Sequence, residues 1–177
     1  MSIQEDNPCI SELELQIEGN WTADDFTKLT SSISGIYDAI SSFVIASRYN
    51  GRYSDADKEA ASIRNLNSAE VYQNLDDFRS PDERLRIGRI QMASPGTIAF
   101  LAPMLFIQPV RELIILLPAI GFVGTVDILA VIERIIKERR FDGAGVKEAI
   151  RALIKDLKQF MELMHAGKIK LPRANTP

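Results

Sequence analysis

The chain has 177 residues, 46% hydrophobic and 25% charged, which suffices for the core of one ordinary domain without disulfide support. One cysteine, Cys9, and one histidine, His165, exclude an internal disulfide and a metal site built from several Cys or His ligands. The net charge of −3 conceals an asymmetry: residues 1–83 hold 6 Lys/Arg against 16 Asp/Glu, and residues 84–177 hold 15 against 8, so a front half at −10 meets a back half at +7.

Such halves attract each other, within one chain or between two, or they form two solvated surfaces. The basic half alone can also face nucleic acid or anionic lipid. The single cysteine fits a reducing, cytoplasmic setting. The start MSIQEDNPC is acidic and polar, without the basic stretch and apolar run of a signal peptide.

Residues 10–18 alternate, with Leu13, Leu15 and Ile17 on one side and Glu12, Glu14, Gln16 and Glu18 on the other. That is a half-buried strand. Thr22 and Asp25 have capping-box spacing. Phe26, Leu29, Ile33, Ile36, Tyr37, Ile40 and Phe43 then recur at three- and four-residue steps and predict an amphipathic helix ending near Asn50-Gly51. Ser54 is expected to cap a short helix through Ile63, and Ser68 another through Phe78.

Leu85 and Ile87 share one strand face, while Ile90 and Met92 fall on the other. A bulge at Gly88 would join them into one apolar face. Ser94-Pro95-Gly96-Thr97 has the residue order of a type II turn, whose twist suits a wider connection than a two-residue hairpin. Residues 97–102 follow as a buried strand. The run Leu85-Arg86-Ile87-Gly88-Arg89-Ile90-Gln91-Met92-Ala93-Ser94-Pro95-Gly96-Thr97-Ile98 resembles a block in a family of uncharacterised bacterial proteins. There an alternating strand enters a Gly-Ser-Pro-Gly-Ser-like turn, then a second strand, then long helices. Ala93 and Thr97 depart from that pattern, and the resemblance implies the order of elements but no activity.

Pro109 is expected in the first turn of a helix that Pro118 interrupts. A further helix is expected from Ala119 to Arg140, and a tight connection at 141–145 leads to the last one. There Val146, Ile150, Leu153, Leu157, Phe160 and Met164 follow heptad steps, and Gly167 supplies the C-terminal cap. The short loop predicts an antiparallel helical hairpin over 119–166. Lys147, Arg151, Lys155 and Lys158 form a basic stripe opposite the seam, either solvated or facing phosphate or lipid. The absence of interleaved aromatics there disfavours nucleic acid.

Little supports catalysis. His165 suits the last helical turn, and nothing in the spacing joins it to Cys9. Asp24-Asp25, Asp76-Asp77 and Asp82-Glu83 are neighbours that diverge on a helix and form no dyad. We therefore expect no catalytic residue, no metal and no cofactor.

Residues 90–110 and 113–126 carry no charge, and arginines flank the tract on both sides. One reading is a soluble core or oligomer interface. The other is a hairpin inserted over 90–132 from the cytoplasmic face of the inner membrane. Asp127, the one charge between Glu112 and Glu133, is an exposed helix position, a partner of Arg111 or an intramembrane acid in these readings. The expected fold is a single α+β domain over 1–177. Its small sheet comes from strands near 10–18, 85–93 and 97–102, covered by helices. The expected function is a non-enzymatic interaction protein that forms a homo-oligomer or binds a protein partner through apolar helices and the heptad seam. The alternative is a membrane-associated effector or small membrane component.

Overall fold

The structure, a computed structural model, describes residues 9–52, 54–62, 64–93, 95–120, 125–139 and 146–171, apart from the side chains of 118–120, 125–129, 146–148, 150 and 152. Its elements run β1 (Ile10–Ile17), α1 (Ala23–Asn50), α2 (Asp55–Ala60), α3 (Ser68–Gln73), α4 (Leu75–Phe78), β2 (Arg86–Gln91), β3 (Gly96–Pro103), α5 (Met104–Ile120), α6 (Thr125–Glu138), α7 (Val146–His165) and β4 (Ile169–Lys170). The expected α+β class is what the chain adopts. The sheet is antiparallel in the order β2-β3-β1-β4. Its fourth strand is a two-residue stub too short to register as alternation.

The alternation in β1 becomes burial: Leu13, Leu15 and Ile17 are sealed, while Glu12 and Glu14 are exposed. Leu13 lies opposite Phe100 and Leu15 opposite Ile98, so one sheet face forms a continuous apolar layer. Helix α5 lies on this sheet, against β1 and β3, and α1 packs against α5, α3 and α7.

Helix α1 starts as its sequence predicts. The Thr22 hydroxyl accepts from the Asp25 N–H at 3.2 Å, and the Asp25 carboxylate accepts from the Thr22 N–H at 2.8 Å. The Trp21 and Phe26 rings lie 5.0 Å apart across this box, as a hydrophobic staple. Asp25 also receives the Lys168 ammonium. That bond, with the Thr22 N–H, holds its carboxyl at about 2 against an ordinary 3.8. The stabilisation is complete above the ordinary value and is lost as pH falls toward 2. Asp25→Asn is expected to cost about 1–2 kcal/mol in urea unfolding at pH 7. Below pH 2, where Asp25 is protonated in both states, the variant and the parent chain should converge.

Two helix starts differ from expectation. Asn67 rather than Ser68 caps α3, with its side chain accepting from the Glu70 N–H at 2.9 Å. Ser54 does cap α2, while Ile63 lies outside the described residues. The larger difference is α5, which begins at Met104, directly after β3, where the Met104 N–H donates to the Cys9 carbonyl at 2.7 Å. Pro109 is therefore inside the helix, and the helix runs through Pro118. Each proline removes one backbone bond, at a cost of about 3 kcal/mol in an isolated helix. Full burial of Phe106, Ile107, Val110, Leu113, Ile114 and Leu117 outweighs this, at about 1.5–3 kcal/mol per side chain.

The apolar tract is thus divided. It supplies the end of β2, the inner strand β3, the core helix α5 and part of α6. Its segment Gly96–Pro103 is strand rather than helix. Among the described residues the one helix long and apolar enough to cross a membrane is α1, and 72% of its apolar window is buried inside the fold.

Helix α7 ends as expected: Gly167 has φ +70°, and the N–H groups of Gly167 and Lys168 donate to Met164 and Leu163. Among the described residues the helix lies chiefly on α1, and the antiparallel hairpin over 119–166 is not clearly shown. Gly35 makes the close approach feasible, because a Cβ there would sit 2.1 Å from Asp156 Oδ2. Burial at this crossing raises the Asp156 carboxyl above its ordinary value.

The opposite charges of the two halves meet within the chain. Arg89 pairs with Glu12 and Glu14, Lys168 with Asp25, and Lys170 with Glu18.

Candidate interaction surface

Strand β2 is an outer strand of the sheet, and all six of its residues are exposed. The bulge read from the sequence is present: Ile87 lies opposite Phe100 and Arg89 opposite Ala99, leaving Gly88 as the extra residue. Gly88 also gives room, since a Cβ there would meet Leu101 Cδ1 at 2.6 Å. The bulge restores the apolar face. Ile87 and Ile90 stand opposite Phe100 and Ile98, on the side of the sheet that faces the core. The core does not reach them. Ile87 is 50% exposed, Ile90 49% and Met92 59%. Ile10, Met104 and Leu105 add exposed apolar surface at the start of β1 and the start of α5.

The other sheet face differs in character. There Arg89 reaches over Ala99 to Glu14 and Glu12 on β1. Its charge is drawn back across the sheet instead of guarding the open edge. Edges are commonly protected by a covering helix, a proline or an inward-pointing charge. No described element beyond β3 pairs with β2.

The strand is held in place at both ends. Before it, Arg79 pairs with Asp38 at 2.5 Å and lies 5.8 Å from the Tyr37 ring centre. The Tyr37 hydroxyl donates to the Glu83 carbonyl, and Arg48 pairs with the Glu83 carboxylate at 2.6 Å. Burial pushes the Tyr37 phenol up to about 12, so it remains a donor at neutral pH. For Glu83, burial raises the carboxyl, but the Arg48 and Ser80 bonds outweigh it and the net shift is downward. After the strand, residues 92–95 connect to β3, with Gln91 opposite Thr97. That is the wider connection expected. The type II turn expected at Ser94-Pro95-Gly96-Thr97 includes Ser94, which lies outside the described residues, and Gly96 belongs to β3. Glycine is needed there for space: a Cβ would lie 2.4 Å from the Gln91 carbonyl oxygen.

The residues singled out from sequence lie elsewhere. Leu153, Leu157 and Phe160 of the heptad seam are fully buried inside the chain, and Met164 is half-buried against the same core. The seam faces α1 and presents no apolar stripe to a second molecule at these positions. The side chains of Val146 and Ile150 lie outside the described residues, as do those of Lys147 and Asp127. Arg151, Lys155 and Lys158 are exposed on α7 and make no ion pair with a described residue. Arg111, considered as a partner for Asp127, donates to the Glu12 backbone carbonyl.

Cys9 and His165 are at opposite ends of β1, because Ile169 pairs with Ile17. Roughly 25 Å of strand separates those ends. Asp24 pairs with Lys28, and Asp76 with Arg84. Among the described residues no three His, Cys, Asp or Glu side chains converge. A shallow groove of about 370 Å³ between α5 and α6 holds Arg111, Arg134 and Arg139. Each is already engaged, with the Glu12 carbonyl, Glu138 and Glu112 respectively.

Sequence reading placed Ile87, Ile90 and Met92 in the sheet but under helices. The signal for an edge was the set of arginines at 84, 86 and 89 among them, which a central strand would have to bury. No family model, curated protein or solved structure matches the chain.

Proposed function

We propose that this is a non-enzymatic interaction protein that joins another polypeptide along the open edge of its sheet. The observation that carries the reading is β2: an outer strand, exposed along its whole length, with Ile87, Ile90 and Met92 uncovered. Contiguous exposed apolar surface of this kind marks interaction sites. An open strand offers unpaired backbone donors and acceptors, to which an incoming strand adds its own, while pockets between side chains give selectivity. The docking surface is therefore the sheet edge and not the helical seam, whose described residues are consumed in the core.

The test is a photo-crosslinking residue placed at Met92, with irradiation of the host cells and mass spectrometry of the adducts. Adducts to a polypeptide are expected. Adducts to lipid alone would favour the membrane-associated alternative and overturn this reading, as would no adduct at all.

A further inference from the structure

We infer that the polypeptide docked on β2 is a second copy of this chain, paired antiparallel about a two-fold axis between Gly88 and Arg89. The inference rests on the interaction reading above and names its partner.

Register favours a second copy. Placing the axis at the centre of β2 sets Arg86 opposite Gln91 of the second copy, Ile87 opposite its Ile90 and Gly88 opposite its Arg89. All six residues of the strand are then paired. The pattern continues outward, with half-buried Leu85 meeting the exposed Met92 of the second copy. The result is an unbroken apolar row of Leu85, Ile87, Ile90 and Met92 from each chain on the core side of the sheet. Residues on the same face of directly opposed strands pack in this way. A two-fold contact must be self-complementary, and this one is.

The bulge favours the same partner. Because Gly88 is an extra residue relative to β3, Ile87 and Ile90 share a face although they are three positions apart. A regular incoming strand puts residues three apart on opposite faces. A second β2 carries the same bulge, so two residues stand between the isoleucines on each side and the ladder stays in step.

Charge is compatible with the pairing. Directly opposed like charges destabilise a strand pair. In this register no arginine faces an arginine. Arg86 meets a glutamine amide that can accept its hydrogen bond. Arg89 meets a glycine, and is held by Glu12 and Glu14 of its own chain. The product is one continuous sheet of eight strands, four from each copy, with both open β2 edges removed.

The experiment uses the full chain. Sedimentation over a range of concentrations should show a dimer, and Ile90→Glu should give a monomer with an unchanged circular dichroism spectrum. To fix the register, Ile87→Cys and Ile90→Cys are made separately in a Cys9→Ser background. Directly opposed residues are about 5 Å apart between Cα atoms, within reach of a disulfide. Residues three positions out of register are about 10 Å apart, beyond reach. A mixture of the two variants should therefore oxidise to a crosslinked dimer, and each alone should not. A monomer at tens of micromolar would overturn the inference, and so would crosslinking of either variant with itself. A monomeric protein whose Met92 adduct is a different polypeptide would overturn the second copy while leaving the interaction reading intact. Loss of both the dimer and all polypeptide adducts would remove both.

Discussion

Leu157→Ala is expected to lower the stability of the chain by about 2–5 kcal/mol, the usual range for removing a buried leucine. Leu157 is fully buried between Leu153 and Phe160 on the face of α7 that packs against α1. Urea unfolding measures the loss. It is best done in the Ile90→Glu background, so that association through β2 does not enter the equilibrium. The loss should be as large there as in the parent chain. If it disappeared in the monomeric background, the heptad seam would be acting between chains, and the packing of α7 on α1 would be wrong. Phe160→Ala is expected to behave in the same way, since Phe160 is equally buried.

Gly96→Val is expected to cost on the order of 4 kcal/mol, enough to leave a small domain marginal. The atoms a Cβ would meet are backbone: the Gln91 carbonyl oxygen at 2.4 Å and the Ala93 carbonyl oxygen at 2.7 Å. Ile17 Cγ1, in the core, follows at 3.0 Å. The two carbonyl oxygens cannot move without opening the β2–β3 connection. Gly88→Ala provides the contrast. Its Cβ meets only Leu101 side-chain atoms, 2.6–3.3 Å away, which can turn aside. A cost of about 1–2 kcal/mol is expected there. Equal losses at the two glycines in urea unfolding would contradict this account. Gly96→Val should also reduce dimer formation, because the connection sets where β2 lies.

Local features were legible wherever a residue acts through its immediate neighbours. The Thr22–Asp25 box and the Gly167 cap need only residues within a few positions, and the sequence carries them without ambiguity. The start of α5 was not legible. Its first turn, Met104 and Leu105, is exposed, and Pro109 is a better signal for a first turn than for an interior. What overrides that signal is burial against α1 and the sheet, to which local propensity is blind. The surface role of β2 was hidden for a related reason. An apolar alternating strand reads the same whether a helix covers it or stops short of it.

The sequence by itself determined the α+β class, the three main strands, the long first helix, the heptad face of α7 and the scarcity of reactive groups. These follow from periodicity, caps and composition, which are properties of short windows. Only the tertiary structure decided which apolar faces meet. It turned the α7 seam onto α1, placed the uncharged tract in the middle of the sheet and in a core helix, and left β2 at the edge with its isoleucines uncovered. The physical reason is that apolar attraction is non-directional. The heptad face of α7 is satisfied equally well by a neighbouring helix or by another molecule, and the packing of the whole chain makes that choice.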